Sequence, residues 1–317
     1  MARLEVPRDR PPIFIGAGII KEEGQILHVA PEDSLAAVIV GSFTDPEWAG
    51  NDEGGRKNVE YWDEANRAYY NSIGLKNPGR KNATRYLPTA IQAQKDAGQL
   101  AIISVTTLKD EDPTKVLPDM VEWALEMGAD GVEVNGSCQN ISPEHPLLCR
   151  DVEGTGFVLS AIRSRVGNEA TLGYKVSPMD KETIVAYGAA ALAWDFYDVT
   201  NTKGNQPSPL SPITGKPYIE VNDGLAGQSG PIIAYLSREN LENWVSAVGG
   251  RADVLSMGGV DSWGTHEYEI YSRVHKYGAL MVGGAQEFRR AGDVRRVAER
   301  WAQMYVSAQE IFGHLEG

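Results

Sequence analysis

The sequence predicts an α/β chain closed as a (β/α)8 barrel, on three observations. Short apolar runs recur along the whole chain, helical patterns separate most of them, and 317 residues accommodate one such unit. A barrel of this kind runs to roughly 250 residues or more as one unit. A single domain over residues 1–317 is therefore expected, with long loops over the face where the strands end.

The runs fall at residues 12–15, 37–40, 101–105, 131–134, 172–176, 196–199, 254–257 and 280–282. Each is short and largely apolar, as strands buried on both faces are. Parallel strands need long crossovers, and helices supply them. An open doubly wound sheet alternates in the same way, so periodicity alone leaves the two architectures close. Helices are expected over 88–99 and 113–127, both opening near a proline whose missing N–H costs nothing in a first turn. In the second of these, Val116, Met120, Trp123, Ala124 and Met127 recur at helical spacing before Gly128. Further helices read at 180–190, 238–248, 267–276 and 291–311. Two stretches break the pattern: 45–71 is polar and aromatic, and 203–230 is rich in Pro, Gly, Ser and Asn. Irregular insertions after strand ends are where barrel enzymes build their sites.

Composition narrows the class. With 42% hydrophobic and 23% charged residues, disorder is not expected. A net charge of −13 with scattered basic residues argues against nucleic acid or an acidic membrane as partner. Two cysteines give no disulfide framework and suit a reducing cytoplasm. The first ten residues read as polar rather than as a leader, and no run approaches the roughly 18 apolar residues of a membrane span. A soluble, cytoplasmic protein is the expectation.

Several segments carry residue types suited to chemistry. Residues 131–140 read GVEVNGSCQN, a strand followed at once by amides, a hydroxyl and a thiol. Asn135 and Asn140 can donate and accept, so together they can read a planar amide-bearing ring. Cys138 sits in the loop, as a base or nucleophile would, although a lone cysteine is by itself more often incidental. Cys138, His145 and Cys149 match no metal-ligand spacing, so no metal is expected. Lys175 interrupts the apolar run LGYKV. A buried lysine is either functional or paired inside the barrel, here with Glu133 or Asp198. Glycines cluster at 226–230, 258–259 and 283–284, the last two after the seventh and eighth runs, where barrels hold phosphate. The amide-rich segments NSIGLKN (71–77) and NTKGN (201–205) are consistent with simple turns when each is taken alone.

Taken in order, these segments resemble the dihydroorotate dehydrogenase family along nearly the whole chain. The family's NSMGLPN appears as NSIGLKN, its N-x-S-C-P-N loop as NGSCQN, and its LGVKLPP strand as LGYKVSP. Its Asn-Thr turn appears as TNTKGN, its GGLSG as AGQSG, its GTGGI as SMGGV and its IGTA as VGGA. The resemblance implies FMN as cofactor, with the phosphate at Gly258, Gly259, Gly283 and Gly284 and with Gly227 nearby. Ala17 and Gly18 would pack along the flavin, Ser42 and Asn135 would touch it, and Lys175 would sit at its N1/C2 edge. Asn71, Asn135, Asn140, Asn201 and Thr202, with the backbone of Ile73, Gly74 and Leu75, would ring a pyrimidine substrate. Cys138 would take a proton from one ring carbon as hydride leaves its neighbour. The cysteine class also implies a homodimer oxidising dihydroorotate to orotate. Its acceptor is open between fumarate and an NAD-linked partner; no cysteine cluster in this chain could hold an iron–sulfur centre.

The chain departs from the family at four places. Glycine stands at position 41, where the family has a lysine reaching flavin and substrate. Lys76 and Gln139 replace prolines, and Lys203 replaces an apolar residue. The lost cation is expected to return through Lys76 or Lys203. Another dihydropyrimidine, or an unsaturated cyclic amide, is the alternative substrate. A barrel that binds flavin or phosphate without catalysis is the alternative from a different class.

Overall fold

The computed structural model describes residues 4–138, 147–262 and 267–313. Its strands are β1 (Ile13–Ile15), β2 (Ala37–Phe43), β3 (Glu60–Asp63), β4 (Ala68–Asn71), β5 (Leu100–Val105) and β6 (Gly131–Asn135), then β7 (Leu172–Val176), β8 (Phe196–Val199), β9 (Lys203–Pro207), β10 (Leu225–Ser229), β11 (Asp253–Met257) and β12 (Met281–Gly284). Among the described residues, eight of these close a barrel in the order β1-β12-β11-β8-β7-β6-β5-β2. Every neighbouring pair in it is parallel. The closed ring decides between the two architectures that periodicity left close.

The helices are α1 (Glu23–Val29), α2 (Gly79–Ala83), α3 (Leu87–Asp96), α4 (Pro113–Glu126) and α5 (Val152–Val166), then α6 (Lys181–Ala190), α7 (Ala234–Val248), α8 (Glu267–His275), α9 (Gln286–Arg290) and α10 (Val294–Phe312). Four of them start on an aspartate whose carboxylate accepts a first-turn N–H. Asp112 takes Thr114 N at 3.0 Å, Asp151 takes Gly154 N at 2.9 Å, Asp180 takes Thr183 N at 2.8 Å and Asp293 takes Arg296 N at 3.3 Å. Each cap is worth about 1 kcal/mol to its helix. α5 was not expected from the sequence. Gly154 and Gly156 weaken both its propensity and its apolar stripe, and the Asp151 cap was the signal available.

The two irregular insertions are not loops. They join into an antiparallel sheet in the order β3-β4-β10-β9, with β4 and β10 pairing the two stretches across about 150 residues of sequence. This sheet stands over the strand ends and walls one side of the cleft described below.

Inside the barrel the inward positions change character along the strands. The lower layer is apolar: Phe14, Ile39, Ile102, Phe196, Leu255 and Met281 are all buried in one cluster. Two glycines make room for its phenyl rings. A Cβ at Gly173 would collide with the ring of Phe196, and one at Gly283 would lie 2.5 Å from Phe14 Cε1. Two residues further along β5, β6, β7 and β8, the inward layer becomes Ser104, Glu133, Lys175 and Asp198, all buried.

Candidate active site

A cleft with about 1060 Å³ of atom-free space, part of it open to solvent, lies over this polar layer. Its walls come from strand ends and the turns after them. Ala17, Gly18 and Ile19 follow β1; Ser42 is in β2; Asn135 ends β6, and Cys138 follows it. Lys175 rises from β7; Thr200, Asn201 and Thr202 follow β8; Met257, Gly258 and Gly259 end and follow β11; Gly284 and Gln286 end and follow β12. Tyr69 and Asn71 of β4, the turn residues Ile73, Gly74 and Leu75, and Ser229 of β10 form the wall on the insertion side.

The floor is a buried ionisable trio, Lys175, Asp198 and Glu133. Lys175 Nζ lies 2.8 Å from Asp198 Oδ2 and donates to Met257 Sδ at 3.2 Å. Burial alone would lower the lysine, but Asp198 and Glu133 outweigh it and hold the ammonium above its usual value. Burial pushes the Glu133 carboxyl up to about 8, with Asp198 adding to the rise and Lys175 opposing it. Glu133 therefore keeps its proton at neutral pH. One ammonium, one carboxylate and one carboxylic acid then sum to no net charge.

A hydrogen-bonded chain runs from the floor up the wall. Ser104 donates to Glu133 Oε1 at 2.7 Å and shares a 2.8 Å bond with Ser42. Asn135 Nδ2 donates to Ser42 Oγ at 2.9 Å, while its Oδ1 accepts from Ser137 N at 3.1 Å and Ser137 Oγ at 2.8 Å. Asn201 Nδ2 donates to Ser137 Oγ at 2.9 Å, and Asn201 Oδ1 accepts from Thr202 N at 2.7 Å. Two amides that lie far apart in the sequence are locked in orientation by this chain.

The far end of the cleft is built of tight turns. Gly258 and Gly259 have φ of 83° and 77°, and a Cβ at Gly259 would lie 2.7 Å from Ala234 N. Only glycine fits there. The fully buried Arg273 of α8 donates to the Gly258 carbonyl at 2.8 Å and pairs with Glu269 at 2.9 Å, fixing the turn from behind. Beside it, Thr200 Oγ1 and both polar atoms of the Gln286 amide are buried with no hydrogen-bond partner among the described residues. Orphaned polar atoms on a cleft wall are suited to a polar ligand.

The sequence profile described as Dihydroorotate dehydrogenase matches residues 8–284. The chain belongs to the dihydroorotate dehydrogenase family. Two solved structures of dihydroorotate dehydrogenase from Eimeria tenella share its fold. The ligand-free one has a TM-score of 0.77 at 18% identity, covering 95% of this chain and 85% of that one. The complex with ferulenol has a TM-score of 0.73 at 18% identity, covering 94% and 82%. A search of curated proteins finds no match. Family membership makes the chain an oxidoreductase of the dihydroorotate dehydrogenase type, acting on a CH–CH group of a small molecule. No described helix is long and apolar enough to cross a membrane.

Of the residues that the resemblance to dihydroorotate dehydrogenases singles out, most meet in this cleft. Cys138 and Lys175 both line it, and each lies within electrostatic reach of the other. Two glycines do not line it. Gly227 is packed against Thr202 and Gly283 against Phe14, so both serve packing of the walls. Asn140 and Gln139 lie outside the described residues. Neither lysine expected to restore the lost cation faces the cleft. Lys76 turns outward to Asp52 at 2.7 Å, and Lys203 is exposed on β9. Cys149 is buried against Ser177, and burial pushes its thiol up.

Three cleft residues with ionisable side chains belong to no motif in the sequence. Lys21 enters from the loop after β1, and Tyr69 and Arg289 enter from β4 and α9. Tyr69 and Arg289 both bond Glu60, with Arg289 Nη2 at 2.9 Å from Glu60 Oε2. No spacing points to them, because the sheet of insertions is what brings them together.

Proposed function

We propose that this chain is an FMN-dependent dehydrogenase that oxidises dihydroorotate to orotate, with Cys138 as the base. The observation that carries the reading is one cleft holding a fixed buried ammonium, a loop thiol, oriented amides and a glycine-turn end with orphaned polar groups. A planar, polar, phosphate-bearing cofactor fits that combination. Gly258, Gly259 and Gly284, with Gln286 and Thr200, would hold its phosphate and ribityl end, and Lys175 would lie at the ring edge that gains negative charge. When bound, FMN supplies the hydride acceptor.

The protein's own part is positional and acid–base. The amides of Asn71, Asn135 and Asn201, Thr202, and the backbone of Ile73, Gly74 and Leu75 hold the ring in one plane. Asn140 belongs to the same set by its place in the NGSCQN loop. Cys138 takes the proton from one ring carbon as the neighbouring carbon gives up hydride, which leaves a carbon–carbon double bond. Lys21 and Lys175 both lie within electrostatic reach of Cys138. A homodimer working in the cytoplasm belongs to the same reading, the latter on the two free cysteines. A second reading, another dihydropyrimidine as substrate, is favoured by Gly41, which takes a cation away from the second strand.

Anaerobic mixing of purified, flavin-loaded protein with dihydroorotate, dihydrouracil and simple enones tests both. Dihydroorotate is expected to bleach the flavin fastest, and Cys138→Ser to slow that step by about 10²–10⁴ at neutral pH with flavin retained. Bleaching by dihydrouracil alone transfers the assignment to the second reading, and no bleaching by any ring defeats both.

A further inference from the structure

The cleft has a cation that no family motif points to, and the position that lost one explains it. Gly41 cannot carry a side chain here. Its φ is 121°, and a Cβ would lie 2.5 Å from the Ser104 carbonyl and 3.1 Å from Phe43 N. Instead its backbone is used on both sides by the loop after β1. Gly41 N donates to Ile20 O at 2.9 Å, and Gly18 N donates to Gly41 O at 2.6 Å. The next residue of that docked loop is Lys21. It lines the cleft, is half-buried, and donates through Nζ to the Lys76 carbonyl at 2.6 Å, at the base of the 71–77 turn. Tyr86 fixes the loop further by bonding the Lys21 carbonyl. Cys138 and Arg289 are ionisable groups within electrostatic reach of the ammonium.

We propose that Lys21 is the specificity-determining cation of this site: it binds the carboxylate of an acidic planar substrate, replacing from the first strand's loop a charge that the second strand cannot present. The assignment rests on the reading of the cleft as a flavin and pyrimidine site. One carbonyl uses one of the three ammonium protons, so two remain for an anionic ligand. The ammonium is held by the carbonyl directly after Leu75, at the end of the turn that lines the wall, and lies within electrostatic reach of Cys138. Glycine at 41 and lysine at 21 thus form one device, since filling position 41 would undock the loop that aims the lysine.

Calorimetric titration of flavin-loaded protein with orotate and with uracil, for wild type, Lys21→Met and Lys21→Arg, decides it. Lys21→Met is expected to weaken orotate at least tenfold and uracil less than threefold, with Lys21→Arg recovering most of the loss. Equal orotate affinity in wild type and Lys21→Met overturns the assignment, as does a parallel loss for both ligands. A wild type that takes up flavin yet prefers uracil overturns the role of Lys21 and leaves the flavin reading intact. A wild type that takes up no flavin overturns both.

Discussion

Two layers of the barrel interior, about 6–7 Å apart along the same strands, have opposite chemistry. In the lower one Phe14, Phe196, Ile102 and Leu255 interdigitate without a polar atom. In the upper one Ser104, Glu133, Lys175 and Asp198 stand side by side on β5, β6, β7 and β8, two residues beyond Ile102, Gly131, Gly173 and Phe196. The strand Phe196–Val199 shows the change most sharply, from a phenyl at 196 to a carboxylate at 198. The lower layer stabilises the barrel. The upper layer costs stability, because desolvated charges are only partly repaid by pairing, and it is placed where a ligand meets it. The difference separates what closes the barrel from what the cleft uses.

The largest expected effect comes from breaking the upper layer at its cation. Lys175→Met leaves the Asp198 carboxylate buried without its partner, and a loss of about 3–5 kcal/mol in urea unfolding is expected together with loss of bound flavin. Adding Asp198→Asn to it should return most of the stability and none of the flavin. A single variant as stable as wild type would contradict the paired trio. Phe196→Ala strikes the lower layer instead. It should cost about 3–5 kcal/mol and leave flavin affinity in the surviving native protein unchanged, checked by the same denaturation and by flavin titration. A specific drop in flavin affinity would show that the layers are not separable.

Smaller effects sharpen the contrast. Glu133→Gln should change stability by no more than about 1 kcal/mol near pH 4, where the carboxyl it replaces carries a proton in the folded and the unfolded chain alike. Its pH dependence has a definite sign. Between about pH 4.5 and 8 the folded protein keeps a proton that the unfolded chain releases. Wild-type stability contributed by this group therefore falls as pH rises through that window and levels off above it. The glutamine variant should gain on wild type across the window, and a flat difference in chemical denaturation from pH 5 to 9 would rule the protonated carboxyl out. Least disruptive is alkylation of native protein with iodoacetamide. Peptide mapping should find Cys138 modified and Cys149 spared, since Cys149 is fully buried against Ser177.

The strands at 172–176 and 196–199 were legible to the residue, because a short apolar run with one charged intruder fits a barrel strand and little else. The same intruder, Lys175, made the floor of the cleft readable, and the NGSCQN loop did so for Cys138 and Asn135. α5 was hidden by its glycines. The sheet of β3, β4, β10 and β9 was hidden because its central pairing joins segments about 150 residues apart, and no local pattern records such a partner. Lys21 was invisible for a related reason. Its side chain enters the cleft because the backbone of Gly41 holds its loop, a contact between two segments whose local sequences record no such partner. Lys76 and Lys203 were nearer to the motifs in sequence, but Asp52 and solvent claim them.

Everything the upper layer is assigned to do requires one flavin in the cleft. The direct measurement is to denature protein purified without added cofactor, or after incubation with FMN, and to identify and count the released chromophore. One FMN per chain, lost in Lys175→Met and kept in Phe196→Ala, is the predicted result. Colourless protein that takes up no FMN, or equal uptake by the Lys175 variant, would contradict it.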